Sequence, residues 1–250
     1  MTTAVPDPAE SMLDDSIWWA LTTHHAPLGE ANGAARRYRS RVSRFSAFDP
    51  SVGDADPQAW ADLADLVGPD GTIIQKSTRP EVEPPEGWTV LVSARGLQMV
   101  LTDPGKLQSG AVEVVAPFVT RDLGDDDIAA MVELVTLTDP GPFEVRTIDM
   151  GRYLGTFNGG RLAAMAGERL HLPGYTEVSA VCTHPDAQGQ GLATALVRII
   201  AAGIAERDET PYLNVRAEND RAIALYERLG FSVRTPFTFR AVRFVGSPAG

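Results

Sequence analysis

The segment 188–193, Gln-Gly-Gln-Gly-Leu-Ala, has the residue types of an anion-binding turn. It lies between an apolar stretch at 177–183, which predicts a buried strand, and one at 194–202, which predicts a helix. The first N–H groups of a helix have no partners within the helix, and the helix dipole places partial positive charge there. Glycines such as Gly189 and Gly191 let a phosphate approach the backbone without a Cβ in the way. The segment therefore predicts a site for a phosphorylated cofactor.

A second motif follows Asn214 and strengthens this interpretation. It consists of Asn219 and the run Leu-Tyr-Glu-Arg-Leu-Gly-Phe at 225–231. Asn219 is predicted to cap a helix at 222–229, which Gly230 ends. The two motifs together resemble the GNAT superfamily of acetyl-CoA-dependent N-acetyltransferases. The signature of that family is Gln or Arg, two variable residues, Gly, a variable residue, and Gly or Ala. Those places are filled here by Gln188, Gly191 and Ala193.

The resemblance implies an α/β (α+β) fold with a mixed, mostly antiparallel central sheet flanked by helices. It covers residues 112–245, which we predict to be the catalytic domain. Residues 11–107 contain no such glycine turn, and they resemble the degenerate, smaller N-terminal half of two-part members of the family. Turn-forming residues at 105–111 predict the boundary between the halves, and residues 1–10 are expected to form a flexible tail.

Hydrophobic periodicity predicts the elements around these motifs. Helices are expected within 11–24, at 57–67 and from 125 to 135, where three aspartates suit the helix start better than a metal site. Strands are expected at 71–74, 89–92, 98–101, 112–115, 177–183, 212–215, 231–233 and 238–244, and a hairpin is expected around the Asn-Gly-Gly turn at 158–160.

The resemblance implies that an amine attacks the acetyl thioester directly, in a ternary complex. An amine of pKa near 10 arrives mostly as ammonium, so the reaction needs a base, and Glu177 is the first candidate. Strand alternation would put Glu177, Ser179, Val181 and Thr183 on one face and Cys182 on the other. As alternatives, Glu177 is an edge residue paired with a cation such as Arg169, and the base is Glu168 or a water.

Tyr226 is the candidate acid, because the family uses a tyrosine at this place to protonate the leaving thiolate. The alternative is a tyrosine at the boundary of helix and sheet, with its hydroxyl on a backbone carbonyl. The amide of Val181 would hold the acetyl carbonyl. The predicted cofactor-binding residues are Val181, Cys182, Thr183, Gln188, Gly189, Gln190, Gly191, Leu192, Ala193, Thr194, Asn219 and Tyr226. The predicted substrate-binding residues are Arg146, Glu168, Ser179 and Asn214.

Composition limits the partners. The net charge of −11 argues against nucleic acid and fits a small-molecule or peptide amine. The single cysteine fits a reducing compartment, and the absence of an apolar run of about 18 residues predicts no membrane span. We therefore expect a cytoplasmic protein that uses acetyl-CoA and no metal. A homodimer, a longer acyl chain and a non-catalytic acyl-CoA sensor stay open as alternatives.

Overall fold

The computed structural model describes residues 8–108 and 117–246. The helices are α1 (Pro8–Ser11), α2 (Ser16–Thr22), α3 (Pro57–Val67), α4 (Gly105–Gln108), α5 (Ile128–Thr138), α6 (Leu192–Ala205) and α7 (Asp220–Arg228). The strands are β1 (Gly29–Asn32), β2 (Ala35–Tyr38), β3 (Ser46–Phe48), β4 (Thr72–Ser77), β5 (Trp88–Leu101), β6 (Phe118–Asp122), β7 (Tyr153–Asn158), β8 (Arg161–Leu172), β9 (Tyr175–Thr183), β10 (Thr210–Arg216) and β11 (Phe231–Phe244).

One eight-stranded sheet organises the chain, in the order β4-β11-β5-β10-β9-β8-β7-β6. Its neighbouring strands run antiparallel except β9 and β10, which run parallel. A smaller sheet, β1-β2-β3, lies in the N-terminal part and shares a core cluster with α3. The predicted mixed, mostly antiparallel sheet flanked by helices is confirmed.

The sheet is continuous across the predicted domain boundary. Strand β5 hydrogen-bonds to β10 on one side and to β11 on the other, and β4 pairs with β11. Strands from the N-terminal part of the chain thus complete the sheet of the C-terminal part. The domain boundary between residues 107 and 112 stays a prediction. The structure shows that the large sheet contains strands from both sides of that boundary.

Several predicted elements differ from those observed. The strands expected at 89–92 and 98–101 are one strand, β5, and those at 231–233 and 238–244 are one strand, β11. Strands β5 and β11 pair with each other at 13 positions. This pairing keeps the polar residues between the apolar runs in the strand conformation. The expected helix within 11–24 shortens to α2, whereas α3 has the predicted bounds. The expected tail ends in α1, and its residues 1–7, like the strand expected at 112–115, lie outside the described residues.

The two faces of the sheet pack against different helices. Helices α6 and α7 cover one face, where Val178, Leu213 and Val215 contribute to the core. Helices α2 and α5 cover the other face, where Tyr212 and Cys182 lie in two separate clusters. We call these the α6 face and the α2 face. Because neighbouring residues of a strand point to opposite faces, these clusters show which way each side chain near the predicted site points.

Candidate functional site

An opening in the sheet lies between β9 and β10. The two strands pair from Thr210 opposite Tyr175 to Leu213 opposite Val178. Strand β9 nevertheless continues to Thr183, and β10 continues to Arg216. Backbone groups of β9 that point toward β10 beyond Val178 therefore have no strand partner, as at the edge of a sheet. Such an edge can accept an extended, amide-bearing ligand in place of a strand.

A β-bulge at Ala180 changes which side chains line this opening. On β8, Met165 and Gly167 are two residues apart, but their partners on β9, Cys182 and Ser179, are three apart. The extra residue is Ala180, whose φ of +51° lies in the left-handed region. A bulge of this kind reverses the alternation of side chains beyond it.

The predicted alternation along β9 is therefore wrong. Val181 packs against the core of the α6 face together with Val178, whereas Cys182 packs with the cluster of α5 on the other face. Glu177 lies on the α2 face, because it bonds to Asn214, whose neighbours Leu213 and Val215 pack on the α6 face. Glu177 and Val181 are thus on opposite faces, and Cys182 lies on the face of Glu177.

The turn before α6 has the geometry of an anion site. Gly189 and Gly191 adopt φ values of +78° and +75°, which a residue with a Cβ rarely adopts. Helix α6 begins at Leu192, and no side chain in the described ranges caps it. Within the described chain, the N–H groups of residues 189–194 donate to no protein acceptor. Residues 188–190 are exposed, so these donors are open to a ligand from solvent.

Glu177 is fully buried and held by two neighbouring side chains. Arg169 donates to its two carboxylate oxygens from Nε at 2.9 Å and from Nη2 at 2.7 Å. Asn214 donates from Nδ2 to Oε1 at 2.7 Å. Although burial alone would raise the pKa of this carboxyl, the Arg169 guanidinium and the Asn214 amide hold that pKa below its ordinary value. The predicted pairing with Arg169 is confirmed, but β9 is not an edge strand. The base role of Glu177 stays a prediction.

Glu168, the second candidate base, lies on the other face of the sheet. It stands opposite Val178, which packs on the α6 face, and its Oε1 accepts from Nη1 of Arg207 at 3.1 Å. Arg207 follows the C-terminal end of α6, away from the helix start that carries the free amides. The two candidate carboxylates are therefore not brought together.

Tyr226 lies on α7 and is 8% exposed. Its ring is 6.1 Å from that of Phe231, edge to face, and burial raises the pKa of its hydroxyl to about 12. The hydroxyl is consequently protonated near neutral pH. Asn219 Oδ1 accepts from the N–H of Ala222 at 3.1 Å, so the predicted cap of this helix is confirmed.

The remaining predicted residues are spread more widely. Arg146 lies in the segment between α5 and β7. Its guanidinium donates hydrogen bonds to Asp125 at 2.8 Å and to Asp149. Ser179 is buried opposite Gly167, directly before the bulge. Cys182 is buried too, and burial raises the pKa of its thiol to about 11. A thiol of this kind is almost entirely protonated near neutral pH.

Unpartnered polar atoms lie near the Arg169–Glu177 pair, and of their residues the sequence predicted only Asn214 as part of the site. The hydroxyl of Tyr153 and the Oδ1 atom of Asn214 are buried and have no hydrogen-bond partner among the described residues, and the buried hydroxyl of Tyr212 lies beside the Ser16 side chain. Both tyrosines are close enough to interact electrostatically with Glu177 and Arg169. Atoms of this kind are rare in folded proteins and often mark a functional site. No signal in the sequence could reveal them, because they depend on contacts between distant strands.

In the described part of the chain, no helix combines the length and the apolar character that crossing a bilayer requires.

Comparison with known proteins gives three kinds of likeness. The family model described as FR47-like protein matches residues 153–240. A solved structure from Novosphingobium aromaticivorans DSM 12444, assigned to the GNAT family of acetyltransferases, is 37% identical and superposes with a TM-score of 0.79. That superposition covers 95% of this chain and 99% of the other chain.

Curated relatives match a shorter part of the chain. The mycothiol acetyltransferase of Mycobacterium avium is 38% identical over 93 residues, which are 33% of this chain and 29% of the relative. The [ribosomal protein bS18]-alanine N-acetyltransferase of Escherichia coli is 40% identical over 77 residues, which are 30% of this chain and 51% of the relative. The chain thus spans between about a third and about half of the length of these relatives.

Proposed function

This chain belongs to the GNAT family of acetyltransferases, and we propose that it transfers an acetyl group from acetyl-CoA to a primary amine by direct attack in a ternary complex. The observation that carries the proposal is the pair of features at the end of β9. Residues 189–194 offer free N–H groups at the start of α6, and the sheet opens between β9 and β10 beside them.

The free amides fit the diphosphate of the coenzyme. They are exposed main-chain donors at the positive end of a helix, so they favour an anion with several oxygens. The residues that would hold the diphosphate through their backbone are Gln188, Gly189, Gln190, Gly191, Leu192, Ala193 and Thr194. The backbone of Val181, Cys182 and Thr183, at the open edge of β9, would hold the pantetheine arm. Asn219 and Tyr226 would close the site from α7.

When bound, acetyl-CoA supplies an activated acetyl group as a thioester. The amine nitrogen forms a C–N bond to the carbonyl carbon, the C–S bond breaks, and the amide and the free thiol are the products. Tyr226 gives its proton to the departing sulfur, and the proton lost by the nitrogen passes to water and restores the phenol. The raised pKa of Tyr226 keeps it in the donating form, and the N–H of Val181 would stabilise the developing oxyanion.

The acceptor is proposed to be a small-molecule or peptide amine. The chain carries a net charge of −11, which favours cationic amines as acceptors. Names of the curated relatives point to acceptors of both sizes, since one is a mycothiol acetyltransferase and the other acetylates an alanine of a ribosomal protein.

The test is thiol release from acetyl-CoA in the presence of a panel of primary amines, compared between wild type and Tyr226→Phe. Removing a general acid typically costs about 10²- to 10⁴-fold in rate. Because Phe keeps the ring packing against Phe231, the variant should bind acetyl-CoA as wild type does. Tyr38→Phe is the matched control, since it removes a buried hydroxyl of β2 that bonds to Nδ1 of His25 at 2.8 Å.

Three results would contradict the proposal. Full activity of Tyr226→Phe removes the acid role. Binding of acetyl-CoA without turnover on any amine favours the acyl-CoA sensor, and failure to bind acetyl-CoA removes the enzymatic proposal altogether.

A further inference from the structure

A buried amide oxygen lies where β9 and β10 stop pairing. Asn214 follows Leu213, the last residue of β10 that pairs with β9. Its Oδ1 atom is buried and accepts no hydrogen bond from any described residue. The residue as a whole is partly exposed, whereas its partner Glu177 is fully buried. Asn214 therefore connects the buried ion pair with the opening in the sheet.

The direction of this oxygen is fixed by its neighbours. Nδ2 of Asn214 donates to Oε1 of Glu177, and an ionised carboxylate can only accept, so the two ends of the amide cannot exchange places. Glu177 is in turn locked by the two bonds from Arg169. The hydrogen-bonded series Arg169–Glu177–Asn214 thus fixes the direction in which the Oδ1 atom of Asn214 points.

The amide directly across the sheet is bonded to other partners. Gln98 on β5 stands directly opposite Asn214. Its Nε2 donates to the carbonyl of Leu13 at 3.0 Å, and its Oε1 accepts from Arg234 at 2.9 Å. Among the residues that the structure describes, none supplies a donor for this acceptor atom, which leaves the free energy of that hydrogen bond for a ligand.

We infer that Oδ1 of Asn214 accepts a hydrogen bond from the N–H of the acceptor amine, and that Glu177 is a positioning residue for Asn214 and not the base. The inference rests on the proposed function. An attacking amine has N–H groups to donate while its lone pair faces the thioester carbon. Its nitrogen becomes positively charged as the C–N bond forms, so the bond to Asn214 strengthens in the transition state.

The same geometry argues against proton abstraction by Glu177. Both of its oxygens accept bonds from the guanidinium of Arg169, and one also accepts from Asn214. A proton on this carboxyl would break one of these bonds in a site closed to water. Glu177 acts on the amine through Asn214.

The first experiment replaces Asn214 by Leu, which has a similar shape and no acceptor. We expect kcat/KM for the best amine of the panel to fall by about 10- to 100-fold, the size of one hydrogen bond to a charged group. The Kd of acetyl-CoA should not change. Glu209→Gln is the matched control, because it alters a carboxylate just before β10 that bonds to His171 and Thr176.

The second experiment separates positioning from base catalysis by the pH dependence of kcat/KM. Glu177→Gln alone leaves Arg169 buried without its counter-charge and is expected to fold poorly. The double variant Arg169→Gln with Glu177→Gln removes both charges and keeps an oxygen at 177 for Nδ2 of Asn214. Its activity should stay within about 10-fold of wild type, and the acidic limb of the pH profile should be unchanged.

Each outcome decides the inference. A loss of about 10²-fold or more in the double variant, together with loss of the acidic limb, assigns Glu177 as the base and overturns the inference. An Asn214→Leu variant with full kcat/KM shows that Oδ1 of Asn214 bonds to no acceptor amine, and this result also overturns the inference. An equal loss of acetyl-CoA affinity shows that the donor belongs to the coenzyme. If the wild-type protein shows no turnover, the proposed function itself is refuted. If the wild type turns over and the rate does not depend on Asn214, only this inference is refuted.

Discussion

Substitution of Gly191 by Ala tests the site of the coenzyme diphosphate. Gly191 has a φ of +75° at the residue before α6. A residue with a Cβ pays about 1–2 kcal/mol in this region. In a chain of this size, each kcal/mol lowers Tm by about 2–4 °C. We therefore expect Gly191→Ala to lower Tm by about 2–8 °C.

The effect on the coenzyme should be larger and separable from the effect on stability. If the turn relaxes away from φ +75°, the N–H groups of residues 189–194 no longer converge. One lost bond from an N–H group to a phosphate oxygen weakens binding by roughly 10- to 100-fold. Isothermal titration calorimetry with acetyl-CoA measures the Kd, and differential scanning calorimetry measures Tm.

Gly174 offers a matched control. It has a φ of +78° in the turn between β8 and β9, and an added Cβ there would meet nothing within 4 Å. Gly174→Ala should therefore lose a similar amount of stability and keep the wild-type Kd. The reasoning is refuted if both variants bind acetyl-CoA equally well, because the conformation of the turn before α6 would then be irrelevant to the ligand.

Three further predictions concern stability and reactivity. Burial raises the pKa of the Cys182 thiol to about 11, so iodoacetamide should label the folded protein far more slowly than the unfolded protein near pH 8, and equal rates would contradict this. Burial, with the neighbouring His171, lowers the pKa of His25 to about 4, below the unfolded value of about 6.5. Because only the unfolded chain takes up a proton between these values, stability should fall by up to about 3 kcal/mol from near pH 7 to near pH 4, measured by urea unfolding. The same fall in His25→Asn would show that another group is responsible. Ala180→Gly should stabilise the fold by up to about 1 kcal/mol in thermal unfolding, since it relieves a φ of +51°, and a lower Tm would refute strain at the bulge.

Local signals predicted the part of the fold that is local. Gly191 marks the start of α6, Asn219 caps α7, and Asn158 ends β7 before a glycine turn, each by chemistry confined to a few residues. The family resemblance rested on two such local motifs, and the fold that it implied is confirmed.

Long-range pairing could not be predicted in the same way. Nothing in the sequence of β5 shows that it lies between β10 and β11, since sheet order depends on contacts far apart in the chain. The bulge at Ala180 was also missed, because the residue with positive φ is an alanine and glycine is the usual signal. That single residue reversed the predicted faces of Val181 and Cys182. The bond between Arg169 and Glu177 was foreseen as an alternative, whereas the unpartnered oxygen of Asn214 was not.

The position of β5 has a consequence for how the chain can be cut. A fragment beginning after residue 111 would lack β4 and β5, so β10 and β11 would each lose the neighbour that lies between them. Because β11 would also lose β4, three unsatisfied strand edges would then face water or other molecules, which favours aggregation. Expressed apart, neither half should give a sharp melting transition, but the two halves mixed together should complement each other and restore one, as the two pieces of a split reporter protein do.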